Sequence, residues 1–87
     1  MKLKKNFVLQ EVGDIHMLAS VGENVDFHGV VHCNPTATFL VMQLQEDKSE
    51  ASLCESLMQR YSINRLQAQT AVDYVVKQLR SINALDD

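Results

Sequence analysis

The sequence predicts an α+β domain, a three-stranded antiparallel meander followed by three helices. Three observations carry this. The hydrophobic period is about two before Asn34 and helical after it. Short Gly-containing turns divide the first part. Asn34, Ser49 and Asn64 each stand as a helix N-cap in the second. At 87 residues the chain fits one domain, residues 1–87, with a modest core.

Phe7-Val8-Leu9-Gln10-Glu11-Val12 reads as the first strand. Gly13-Asp14 is the tight hairpin turn after it, with Gly supplying a positive φ. Ile15 to Val21 is the second strand, with Ile15, Met17, Ala19 and Val21 on one face. Gly22-Glu23-Asn24 is the next turn. Val25, Phe27, Gly29 and Val31 then alternate with Asp26, His28 and His32, broken at Val30. That alternation predicts a half-buried third strand, free to be the sheet edge.

Asn34-Pro35 opens the helical half, because Asn suits the cap and Pro the first helical position. Ala37, Leu40, Val41 and Leu44 share a face with Phe39 beside them, and the polar run Gln45 to Lys48 ends the helix. Ser49 caps the second helix, whose apolar face is Leu53, Cys54, Leu57, Met58 and Tyr61. Asn64 with Gln67 three residues later is a capping-box-like start for the third. That helix buries Ala68, Ala71, Val72, Val75, Leu79 and Ile82. The short connection before it makes the last two helices a helix-turn-helix.

The net charge is −3, and three of the eight cations (Lys2, Lys4, Lys5) lie in the first five residues. The remainder is acidic, which argues against a phosphate-binding surface. Cys33 and Cys54 are too few for a disulfide framework and read as reduced thiols of a cytoplasmic protein. Phe7-Val8-Leu9 is too short for a signal-peptide core, and no run approaches the length needed to span a membrane. His28 and His32 share a strand face but lie about 13 Å apart at roughly 3.3 Å per residue, too far for one metal ion. His16 reads as a strand surface residue. No nucleophile motif, phosphate loop or paired-Cys motif is present, so no catalytic residue is assigned.

In the helical half, Asn34, Thr36-Ala37, Phe39-Leu40, Leu44, Ser49, Leu53, Leu57, Tyr61, Val72, Val75-Val76 and Leu79 follow one another at a spacing that resembles the PqqD family. These proteins are also called precursor-peptide recognition elements, and the resemblance covers nearly the whole chain. It implies a winged-helix-like fold, no enzymatic activity and no cofactor. It also implies that the leader segment of a ribosomally made precursor peptide docks between the third strand and third helix, as an added antiparallel strand. The implied second partner is a peptide-modifying enzyme, often a radical S-adenosylmethionine protein. Two departures direct the expectation away from the pyrroloquinoline quinone member itself. His32-Cys33-Asn34-Pro35-Thr36 stands in place of a Pro-Glu-Gly-type segment, and Ala71 in place of an acidic residue.

The expected docking edge is Val25, Asp26, Phe27, His28, Gly29, Val30 and Val31, with Gly29 permitting close approach of another backbone. On the third helix, Gln69, Asp73, Val76 and Arg80 form a row beside the core stripe, with Val76 the candidate pocket wall. A strand edge gives main-chain hydrogen bonds whatever the peptide, and side-chain pockets give specificity. Two other classes stand beside this one. A winged-helix-like fold suits DNA binding, but the third helix mixes Arg65, Lys77 and Arg80 with Asp73 and lacks a basic stripe. A strand edge also suits a homodimer, in which two copies pair edge to edge.

Overall fold

The computed structural model describes residues 1–21 and 30–86. Its elements are β1 (Lys2–Leu3), β2 (Phe7–Val12), β3 (Ile15–Ser20), β4 (Val30–Cys33), α1 (Pro35–Gln43), α2 (Glu50–Tyr61), α3 (Arg65–Ser81) and β5 (Leu85–Asp86). β2, β3 and β4 form the expected antiparallel sheet, in that order.

The hairpin turn sets the register. Gly13 has φ 62°, the left-handed value that a type II′ turn requires at its first central position. Val12 and Ile15 flank the two-residue turn as opposed partners. Such a pair exchanges hydrogen bonds, and bonded pairs then recur at every second residue. The Val21 N–H donates to the Asn6 carbonyl at 2.7 Å, in the same phase. Ile15, Met17 and Ala19 therefore turn their backbone groups to β2, and His16 and Leu18 turn theirs to β4. The partners of His16 and Leu18 are Cys33 and Val31.

Side chains follow the same alternation. Phe7 and Leu18 are buried, with Leu9, Val31 and Cys33 packed beside them. Ile15, Met17, Ala19 and Val21 do share a face, but it is the outer one, where Ile15 is 49% exposed. β3 carries apolar residues on both faces, so alternation alone does not say which turns inward. The third strand includes Val30 and Val31, as expected, and runs on to Cys33. Its described part is Val30–Cys33, while Val25 to Gly29 fall outside the described residues. β4 runs into α1 through Asn34 alone.

All three caps form as expected. The Asn34 side chain accepts from the Ala37 N–H at 2.8 Å, with Pro35 leading the helix. Ser49 accepts from the Ser52 N–H at 3.1 Å. Asn64 accepts from the Gln67 N–H at 2.8 Å, and the Gln67 side chain accepts from the Asn64 N–H at 3.1 Å, a reciprocal capping box. Leu40, Val41, Leu44, Leu53, Cys54, Leu57, Ala68, Val72, Val75 and Leu79 form the core with Leu18. Met58, Ala71 and Ile82 are half-buried around it, and Tyr61 is exposed.

A second, two-stranded sheet was not foreseen. β1 pairs with β5 through Lys2 opposite Asp86 and Leu3 opposite Leu85. Asn83, with φ 58°, turns the chain back after α3. The Lys4 N–H donates to the Ala84 carbonyl at 2.8 Å, and the Leu3 N–H to the Leu44 carbonyl at 2.9 Å. Strands of two residues carry no period, so nothing in the sequence announced them.

Two substitutions test this account. Leu18→Ala empties the one fully buried side chain of β3 and should cost about 2–5 kcal/mol. Asn64→Ala removes one half of the capping box and should cost about 1 kcal/mol. Urea unfolding followed by circular dichroism measures both.

Candidate functional site

A groove of about 440 Å³ opens between β4 and α3. Leu18, Val31 and Val41 line its floor, and Val75 and Leu79 bring α3 against it. Cys33, Asn34 and Ala37 contribute from the β4–α1 junction, and Asp14, Ile15 and His16 from the hairpin end. Tyr74 and Gln78 belong to its lining from the exposed side of α3.

The polar groups of the groove are partly engaged. His16 Nε2 donates to a Glu11 carboxylate oxygen at 3.0 Å, which holds the ring at the hairpin end. The Gln78 amide donates to the Tyr74 hydroxyl at 3.2 Å, one helical turn away. The Asn34 side chain is occupied by its cap. The Cys33 thiol points at the Val31 carbonyl at 3.7 Å, and burial pushes its pKa up, opposed in part by the backbone of Leu18. It is thus an uncharged, weakly polar surface at neutral pH.

The open side of β4 follows from the register. Val31 and Cys33 bond to β3, so the N–H and C=O groups of Val30 and His32 point away from the sheet. β4 is the last strand in the sheet order among the described residues. Val30 is 53% exposed on the outer face, while Val31 turns into the groove.

The expected site residues divide into three groups. Val30 and Val31 lie on β4, the first with its backbone turned away from β3 and the second in the groove. Val25, Asp26, Phe27, His28 and Gly29 lie outside the described residues. Gln69, Asp73, Val76 and Arg80 do not line the groove. Val76 is 5% exposed and belongs to the core, so it is no pocket wall. Gln69 accepts from the Cys54 thiol at 3.3 Å and donates to Asp73 at 2.7 Å. Gln69 therefore faces α2. The groove instead takes Tyr74, Val75, Gln78 and Leu79, on a different face of the helix. One signal for it was present: Tyr74 is an aromatic residue outside the core stripe.

Of the α3 cations, Arg65 pairs with Glu55 at 3.5 Å. Among the described residues, no three His, Cys, Asp or Glu side chains gather as a metal site, and no helix is long and apolar enough to cross a membrane.

The family model described as coenzyme PQQ synthesis protein D (PqqD) matches residues 8–85. The chain belongs to the PqqD family. A solved structure described as TbiB1 in complex with the TbiA(beta) leader peptide is similar to it over 100% of both chains, with a TM-score of 0.77 and 14% sequence identity. That identity is low, so this likeness speaks for the fold. A search of curated proteins found no match. In this PqqD-family chain, β4 and α3 are the strand and helix between which the resemblance implied docking.

The thiols give the chain a pH signature. Burial raises both Cys33 and Cys54 above the ordinary thiol range. Folding then favours the protonated thiols. Their contribution is fully present below the unfolded thiol pKa, about 8.5, and is lost as pH rises through the raised folded value. The urea midpoint should fall between about pH 7 and about pH 10. A Cys33→Ala/Cys54→Ala variant should show a smaller fall over the same interval, measured against its own midpoint at neutral pH.

Proposed function

We propose that this chain binds the leader segment of a ribosomally made precursor peptide by strand addition and presents it to a modifying enzyme, such as a radical S-adenosylmethionine maturase. The observation that supports it most directly is the outward backbone of Val30 and His32 on β4, the last strand of the sheet among the described residues, beside an apolar groove. An incoming antiparallel strand pairs with the outward backbone groups of Val30 and His32. Alternate side chains of that strand then drop into the groove onto Val31, Cys33, Val75 and Leu79. The backbone pairing is indifferent to sequence, so the groove side chains do the selecting. Family membership and the likeness to a leader-peptide complex point the same way.

No step of this function calls for a catalytic group or a cofactor in the chain itself. Holding a leader tethers the remainder of the precursor near a partner enzyme, and the gain is one of effective concentration.

Val30→Pro tests the mode. The Val30 N–H points outward, so proline removes a docking donor and leaves the bonds of Val31 and Cys33 to β3 in place. Loss of one such bond should weaken peptide binding about 2- to 10-fold while the fold remains. Val31→Pro removes a bond within the sheet and should destabilise the protein itself. The measurement is an NMR titration with leader segments of small peptides encoded beside the gene, with circular dichroism on each variant. A folded Val30→Pro protein that binds as tightly as the parent overturns strand addition at β4. A dimer whose interface protects the Val30 and His32 amides would instead give this edge to a second copy.

A further inference from the structure

We infer that the leader, taken to bind as proposed above, carries a second apolar anchor three to five residues upstream of its β4-paired segment, and that the N-terminal half of α3 receives it. Leu66 is 76% exposed and Tyr74 63% exposed. Positions 66, 70 and 74 recur at i, i+4 and i+8, so they form one stripe on the helix. With Ala71 they line a shallow surface depression. The Thr70 hydroxyl is turned back onto the Leu66 carbonyl at 2.9 Å, so its methyl is the group left for contact. Tyr74 belongs both to this depression and to the β4 groove, so the two surfaces are continuous.

The direction of the chain decides which side of the leader meets this stripe. The Lys4 N–H donates to the Ala84 carbonyl just after α3, and the Phe7 N–H donates to the Lys4 carbonyl. Phe7 opposes Ser20, and the neighbouring Ala19 opposes Val30. The C-terminal end of α3 thus lies at the Val30 end of the sheet. Tyr74, nearer the start of the helix, lines the groove together with Asp14, Ile15 and His16 of the hairpin end, which is the Cys33 end of β4. A strand antiparallel to β4 begins at the Cys33 end, so the residues before it pass Tyr74 towards Leu66. Leu66 and Tyr74 are separated by about 12 Å along the helix. About four extended residues span that distance. Among the described residues the edge of β4 runs from Val30 to Cys33, and a second anchor on α3 adds contact beyond it.

The test pans a displayed library of random 20-residue peptides on the wild-type protein and on Leu66→Ser. Leu66 is exposed and outside the groove, so the variant should stay folded, as an amide NMR spectrum will show. Peptides enriched on the wild type should carry two apolar groups at the stated spacing. Removing the upstream group should weaken binding to the wild type about tenfold and to Leu66→Ser much less. An equal loss on both proteins, or enriched peptides without an upstream apolar residue, overturns the inference. If Val30→Pro still weakens those peptides, the groove assignment survives that failure. If peptides bind independently of Val30, or none is enriched, the groove assignment falls and this inference with it.

Discussion

The two-residue turn at Gly13-Asp14 sets the hydrogen-bonding phase of the whole sheet. Because Val12 and Ile15 are a bonded pair, every second residue of β3 is committed to β2, and the residues between are committed to β4. That phase decides that Val31 and Cys33 bond inward while the backbones of Val30 and His32 face out. The same alternation puts Leu18 into the core and Val31 into the groove. A single-residue slip in the turn would exchange these assignments, turning Val30 and His32 towards β3 and the backbones of Val31 and Cys33 outward.

α3 is the second constraint, because three surroundings compete for its faces. Ala68, Val72, Val75, Val76 and Leu79 are buried, Gln69 reaches the Cys54 thiol of α2, and Tyr74 and Gln78 meet the groove. Helical periodicity made the buried stripe legible. It did not make legible which neighbour lies on which flank, because that depends on how α2 and the sheet are placed around the helix. In the row Gln69, Asp73, Val76 and Arg80, Gln69 faces α2 and Val76 lies in the core, which helical spacing alone does not reveal.

The legible parts share a physical cause. Caps at Asn34, Ser49 and Asn64 are local chemistry, in which a side chain accepts from a backbone N–H three residues on, and the sequence contains both partners. The β2–β3 hairpin is local as well. What escaped was non-local or too short to have a period: the β1–β5 pairing, the outward turn of Ile15, and the role of Tyr74. The order β2-β3-β4 was accessible because consecutive strands usually pair with their neighbours.

The β1–β5 pairing has a consequence for how such a domain travels between proteins. Lys2 lies opposite Asp86, so the two ends of the fold sit about 5 Å apart. They meet beside the start of β2, on the opposite side of the sheet from β4. A fold whose ends enter and leave side by side can be spliced into a surface loop of another protein without being stretched. In such a graft the junction would lie at the β2 side of the sheet, away from the β4 groove.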